Sequence, residues 1–387
     1  MTSPGPRDYD AIVAGGGIVG TACALAFAKA GLHVALVERD VPGGGSTAAG
    51  MGHIVVMDDS EAQFALTQRS QQLWRDLAKA LPQGAEFETT GTIWVAADEE
   101  ELAEAERKHA YLEQRAVPSQ MLSSTELGDL EPNLRSGLAG GLLVSEDAVV
   151  YPPVVARYLA RELKALGSDV IVGRSIVRFA DGEAQLDDGK VVRAPHLVNA
   201  LGAEAPAITP GIPVKKRKGH LAITDRYHGF VRHQLVELGY LKSAHSISSD
   251  SVAFNVQPRK TGQILIGSSR QYGKEDSAVN HPILSSMLQR AQLYMPGISS
   301  LNVIRIWTGF RAATPDKLPL IGPVAGDSTL WLATGHEGLG ITTAMATAEL
   351  LACAFAGIEP PISPEPYLPG RFDTGDRANT IIHQETV

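Results

Sequence analysis

Two cysteines in 387 residues are too few for a disulfide framework or a cysteine-held cluster. Both, Cys23 and Cys353, fall in apolar helical patterns and read as small buried hydrophobes of a reduced compartment. Basic residues are in deficit too: 34 Lys+Arg against 43 Asp+Glu leave a net charge of −9, which argues against a nucleic-acid partner. The one basic cluster, Lys215-Lys-Arg-Lys218, is short and adjoins an apparent strand. Long apolar runs are missing. The most apolar stretch, 338–357, is interrupted by Thr342, Thr343, Thr347 and Glu349, so it reads as a packed helix and not a membrane span. The first eight residues hold no hydrophobic stretch, so a signal peptide is not expected. A cytoplasmic location follows, with docking at the inner face of a membrane left open. No Cys/His/Asp/Glu group has metal-ligand spacing, and no Ser-His-Asp arrangement is legible.

What is present describes a globular chain of two domains: 44% hydrophobic and 20% charged residues over a length too great for one ordinary core. Near the N-terminus, Gly15, Gly17 and Gly20 separate an apolar strand, 10–14, from an alanine-rich helix, about 18–30, with Gly31 as its stop. A second strand, 33–38, ends on Glu38. This is the dinucleotide-binding arrangement. One glycine makes the tight turn, one admits a pyrophosphate, and one packs helix against strand. The first helical residues, Ile18 and Val19, sit where free N–H groups and the positive helix end meet phosphates. Glu38 falls 18 residues past Gly20, near the ~20 expected for a carboxylate that binds ribose hydroxyls. Arg39 beside it keeps a 2′-phosphate in play.

Two further segments point to a flavin. In Gly43-Gly-Gly-Ser-Thr-Ala-Ala-Gly-Met-Gly-His53, small residues (Ala48, Gly50, Gly52 among them) let backbone approach a planar ligand. Ser46 and Thr47 offer hydroxyls to phosphate or ribityl oxygens, and Met51 and His53 close the loop. In Ala333-Thr-Gly-His-Glu-Gly-Leu-Gly-Ile341, the residues Gly335, His336, Gly338, Leu339, Gly340 and Ile341 open a long helix, whose positive end would stabilise negative charge on a reduced flavin.

These stretches, with Ser46-Thr-Ala-Ala-Gly-Met51, Leu197-Val-Asn-Ala-Leu-Gly202, Trp307-Thr-Gly-Phe-Arg311 and Pro319-Leu-Ile-Gly322, resemble the FAD-dependent D-amino acid oxidase and glycine oxidase family over nearly the whole chain. Arg217-Lys-Gly-His-Leu-Ala-Ile-Thr and Gly335-His-Glu-Gly-Leu-Gly most resemble the flavin subunits of bacterial hydroxyproline, opine and cyanide-forming glycine dehydrogenases. The resemblance implies an α/β fold: an FAD-binding Rossmann-type (glutathione-reductase-like) domain from 1–85, 145–220 and 308–370, and a mixed-sheet substrate domain from 86–144 and 221–307. A loose tail covers 371–387. It adds Ile176, Ala200 and Gly202 to the FAD contacts and makes Arg311 the clamp for a substrate carboxylate and a neighbour of the flavin. Asn255, in the strand Phe254-Asn-Val-Gln-Pro258, stands where glycine oxidases carry a tyrosine and suits a ring hydroxyl; Arg270 and His53 complete the expected substrate pocket. Thr47, Ala312 and Ala313 stand where related enzymes carry a covalent flavin attachment, so FAD is expected to be non-covalent. The implied reaction is hydride transfer from the α-carbon of an amino acid, best matched by D-hydroxyproline, leaving an imine. Alternatives are a glycine/sarcosine-type oxidase releasing hydrogen peroxide, or a non-catalytic FAD subunit. The electron acceptor stays open among oxygen, a quinone and a partner subunit, and so does the oligomeric state.

Between these motifs, residues 96–130 are rich in glutamate and read as exposed helices, and 150–167 as another helix. Short strands follow from 169, with Gly189 in a hairpin turn.

Overall fold

A computed structural model of the chain describes residues 8–239 and 250–372; the expected loose tail lies outside the described residues from 373 onward. By internal contacts the chain forms two compact units, Met1–Pro42 with Ala156–Lys215 and Ala312–Val387, and Gly43–Val155 with Lys216–Arg311.

In the first unit, Ala11–Ala14 is buried at every position, as a strand covered on both faces must be. It lies parallel to Val34–Glu38 on one side and His196–Asn199 on the other. Chain leaving its carboxyl end therefore meets a point where connections part to opposite sides, the place where open α/β sheets bind ligands. The sheet runs on through Asp169–Val172 at one edge and through Asp327–Thr334 and Leu320–Val324 at the other. A three-stranded antiparallel sheet, Ile176–Ala180, Glu183–Leu186 and Val191–Arg193, packs Ile176, Phe179 and Leu186 against Ile12, Ala14 and Leu197. Its second hairpin turns at Gly189, whose φ of +85° suits glycine. Helices Ile18–Lys29 and Gly340–Ala356 lie against each other, with the Phe27 and Phe355 rings 4.7 Å apart.

The second unit is built on an eight-stranded mixed sheet. Its order is Val303–Ala313, Lys215–Thr224, Ile264–Arg270, Ser251–Pro258, Gln234–Glu237, Thr92–Ala96, Gly140–Val144, Ser119–Ser123. Alternation along the central strands sorts their side chains. Phe254, Val256 and Ile266 join a core with Met287, Ala291 and Tyr294 of helix His281–Tyr294. Asn255, Gln257 and Gly267 occupy the opposite face.

Four expectations change. Residues 43–85 belong by contact to the second unit, because loop 46–52 is bonded to that unit's strands and helix Glu61–Ala78 is tied to it through Asp147, which accepts from Gln71 Nε2 (2.9 Å). Within 96–130 the helices Glu99–Glu113 and Ser124–Leu130 flank a strand, Ser119–Ser123, paired to Gly140–Val144. Cys353 is only half-buried, unlike Cys23. The basic cluster also resolves differently along its length: Arg217 and Lys218 are buried within strand Lys215–Thr224, where Lys218 Nζ pairs with Asp276 (2.9 Å). No helix among the described residues is long and apolar enough to cross a membrane.

Candidate active site

The glycine turn of the first unit tolerates no side chain. A Cβ on Gly20 would stand 1.9 Å from the Gly15 carbonyl oxygen, and one on Gly15 (φ +104°) would stand 2.7 Å from that of Ala200. Gly17 caps the helix without a side-chain bond, and the first turn, which includes Ile18 and Val19, has no acidic residue. By contrast Ser60, Asp98, Ser123 and Asn280 each cap their helices with a side-chain oxygen. With neither a side-chain cap nor an acid in its first turn, the glycine-led helix presents the positive end of its dipole, which suits an anion. Glu38 accepts from Gly16 N (2.6 Å) and Asp40 N (2.8 Å), which fixes its carboxylate at the strand end. Arg39 is exposed and paired with Asp40 (3.2 Å), a partner that offsets the charge a 2′-phosphate would need. Ala200 N donates to Ala14 O (2.9 Å), and Gly202 O accepts from Thr334 Oγ1 (2.8 Å). Ile176 lies in the core beside Ala14 and Val37.

The second glycine-opened helix repeats the design. A Cβ on Gly335 (φ +76°) would approach Thr314 Cγ2 to 2.6 Å, and Glu337 N donates to Ala312 O (2.9 Å). Past Gly338, helix Gly340–Ala356 starts from Leu339 with no side-chain cap and no acid in its first turn, which holds Ile341. His336 is buried with Nε2 3.0 Å from Thr347 Oγ1. Burial pushes its pKa down to about 3, so it is neutral and braces the helix start.

In the second unit, the small-residue loop is moored to the sheet. Its single helical turn, Gly45–Ala49, is held where Ser46 Oγ donates to Phe310 O (2.6 Å) and Trp307 Nε1 donates to Ala49 O (3.3 Å). Ser46 thus gives its hydroxyl proton to a backbone carbonyl of the same unit. Thr47 is buried and Ala48 exposed. Past Gly50, Met51 O accepts from Gln257 Nε2 (3.0 Å). Gly52 has φ +108°, and a Cβ there would strike Val150 O at 1.9 Å. His53 hydrogen-bonds Gln257, but burial dominates and lowers its pKa to about 3.

Arg311 lies on the same face. Its Nη1 donates to Ser269 O (3.0 Å), and a Cβ on Gly219 would meet that nitrogen at 2.5 Å. Ser269 is itself fixed by His220, whose backbone N donates to Ser269 Oγ (2.9 Å). Asn280 N donates to His220 Nε2 (2.9 Å), so the ring proton sits on Nδ1 and points to Ser269 Oγ (2.9 Å). Burial, aided by Lys218 and Arg311, depresses the His220 pKa and keeps that tautomer neutral. Asn255 pairs across the ladder with Gly267, whose Cβ position is 3.3 Å from Met51 Sδ; Asn255 therefore faces the loop. It is 8% exposed, and its Oδ1 accepts no hydrogen bond among the described residues. Arg270 ends the next strand, opposite Ser251. Gly219, Gly309, Ser269 and His220 were not singled out from sequence. The Gly309 signal was present inside Trp-x-Gly-x-Arg, where a Cβ would lie 2.5 Å from that of Ala49.

A family model described as FAD dependent oxidoreductase (DAO) matches residues 10–354. The chain belongs to that family. It is similar to hydrogen cyanide synthase subunit HcnC of Pseudomonas aeruginosa, 27% identical over 95% of this chain and 97% of that protein. Glycine oxidase of the same organism is 28% identical over 92% and 98%. Among solved structures, glycine oxidase from Geobacillus kaustophilus has a TM-score of 0.84 at 24% identity, covering 94% of this chain and 98% of that one. L-proline dehydrogenase from P. horikoshii scores 0.85 at 23% identity, covering 95% and 98%. The protein is thus an FAD-dependent oxidoreductase, and its residues fit the cofactor: an uncapped, acid-free helix end behind glycines that admit no Cβ suits the diphosphate, and the fixed Glu38 carboxylate suits a ribose. Thr47, Ala312 and Ala313 provide no histidine or cysteine for a covalent link to the ring.

Proposed function

We propose that the chain oxidises the α C–N bond of an amino acid, with D-hydroxyproline the substrate its residues suit best. The first unit holds the dinucleotide through Gly15, Gly17, Gly20 and Glu38, while the second supplies the substrate contacts. Bound FAD supplies the acceptor for the hydride that leaves the α-carbon. Arg311 grips the carboxylate with two parallel charge-assisted hydrogen bonds, which sets orientation as well as charge. Its link to Ser269 holds the guanidinium in place before substrate arrives. Asn255 offers its open Oδ1 to a ring hydroxyl. His53, neutral at working pH, leaves the substrate amine free of a competing cation. Hydride loss from a neutral amine requires no strong protein base, and water hydrolyses the imine.

The observation that carries this reading is Arg311 fixed on the same sheet face as an open, buried amide oxygen. It is tested by anaerobic mixing with D-amino acids, D- and L-hydroxyprolines, sarcosine, glycine and opines while flavin absorbance is followed. Fastest bleaching by D-hydroxyproline is expected. Fastest bleaching by glycine or sarcosine, with peroxide formed once oxygen is readmitted, makes the chain a glycine-type oxidase. No bleaching by any member makes it a non-catalytic FAD subunit. The relative described as a synthase subunit supports an electron acceptor other than oxygen, carried by a partner chain or a quinone.

A further inference from the structure

Strand Ser251–Pro258 does not run straight past its neighbour. Val252 pairs with Ser269 and Asn255 with Gly267, so Ala253 and Phe254 together oppose the single residue Ser268. This is a β-bulge, which bends the strand and leaves ladder groups unpaired. Inside the bulge, Phe254 N donates to the carboxylate of Glu237 (2.6 Å) on the strand at the other side. Glu237 is 2% exposed. The same carboxylate accepts from Arg290 Nε (2.9 Å) and Nη2, and from Tyr294 Oη (2.8 Å). The Tyr294 ring in turn stacks on Phe254 at 4.5 Å and 5°.

We infer that Glu237 is a positioning residue for substrate recognition. It acts through the bulge to aim Asn255. A buried carboxylate is costly unless every lone pair is used, and hydrophobic packing alone would join helix His281–Tyr294 to the sheet. The charge is instead spent on an amide inside the bulge, immediately before Asn255. Bulges beside active sites re-aim side chains. Here the re-aimed residue is the asparagine whose Oδ1 stands open on the loop-bearing face. Glu237 fixes the bulge, Arg290 and Tyr294 fix Glu237, and Asn255 takes one direction. With the bulge loosened, the amide samples other directions and loses its ability to select a hydroxylated ring.

This inference rests on Asn255 being a substrate contact, and the test separates the two ideas. A double-mutant cycle of Glu237→Gln and Asn255→Ala is run on the FAD-loaded protein, using whichever amino acid of the panel reduces the flavin fastest. Each single change is expected to lower kcat/KM by about tenfold, mainly through KM, and the double variant to match Asn255→Ala within about twofold, as sites acting through one another do. Amide exchange of segment 251–258 should quicken in Glu237→Gln, with helix 61–78 unchanged. Losses that multiply, a wild-type value in either single variant, or unaltered exchange of 251–258 would each overturn the inference. Should Glu237→Gln fail to fold, Arg290→Met, on the 37% exposed side of the pair, is read in the same cycle. Wild-type protein that prefers proline to hydroxyproline defeats the ring-hydroxyl reading alone; the cycle still reports on Glu237.

Discussion

Arg311, the proposed carboxylate clamp, shows how the fold restrains a single side chain. A guanidinium is flexible and strongly charged, and here the Ser269 carbonyl and the bare backbone of Gly219 hold it flat. In the proposed role, replacing it with alanine removes the carboxylate's charged partner, a loss of ~2–5 kcal/mol for a buried hydrogen-bonded pair. Arg311→Ala is expected to raise KM at least tenfold while the protein stays yellow. Steady-state kinetics and the flavin-to-protein absorbance ratio check both parts. Arg311→Lys should recover little, since an ammonium cannot form the two-pronged contact. The flavin itself should come free in acid: trichloroacetic acid precipitation is expected to leave a white pellet and a yellow supernatant, and a yellow pellet would show a covalent bond. Arg311 was legible because Trp-x-Gly-x-Arg is contiguous. Ser269, His220 and Glu237 were not, because their roles arise from partners 42, 49 and 17 residues away that only sheet register brings together.

The elements divide by how they end. Helices that only build the fold, such as Glu61–Ala78 and Glu99–Glu113, carry serine or aspartate caps that each accept from an N–H group of the first turn. The two glycine-led helices carry none. Ser-x-x-Gln, Asp-x-x-Glu and Gly-x-Gly-x-x-Gly are all local patterns, so both kinds of helix start could be read in advance. Gly20→Ala tests the second kind: with 1.9 Å to the Gly15 oxygen, backbone has to move in the turn proposed to receive the diphosphate. Purification should yield protein with little flavin, measured by the A450/A280 ratio, while far-UV circular dichroism keeps its helical signal. Full flavin occupancy would show that the turn is not the binding element. The loop 46–52 was read correctly as a stretch of small residues but not in its attachments. Ser46 and Ala49 are anchored by Phe310 and Trp307, more than 250 residues along the chain, and no local pattern announces such a bond.

At the scale of the whole molecule, four buried groups among the described residues act on stability between pH 4 and 7: His53, His336, His220 and Asp147. His53 and His336 have pKa values of about 3 against an ordinary 6.5, chiefly through burial. Each therefore adds stability that is present above about 6.5 and is lost as pH falls toward 3. Asp147 runs the other way. Burial raises it from 3.8 to about 7, against the opposing pull of Thr92, Val56 N, Lys108 and Gln71, so its contribution is complete below about 4 and fades as pH rises through 7. Between pH 4.5 and 6 the unfolded chain binds protons at His53 and His336 that the folded chain refuses, the depressed His220 adds to them, and the folded chain keeps one at Asp147. Stability should rise by at least about 1.4 kcal/mol per pH unit. Urea midpoints across this window check the slope, and His336→Gln should lower it by about 1.4 kcal/mol per pH unit; an unchanged slope would clear His336 of the effect. The sequence alone determined the glycine turn, the two uncapped helix starts and the small-residue loop, because each is written in neighbouring residues whose φ or size admits few alternatives, and it named the arginine as a candidate. Tertiary structure decided which unit holds the loop, which face Asn255 looks to, and what restrains Arg311. Those depend on strand order and on one bulge, and pairing between distant segments is set by the fit of the whole sheet rather than by any stretch within it.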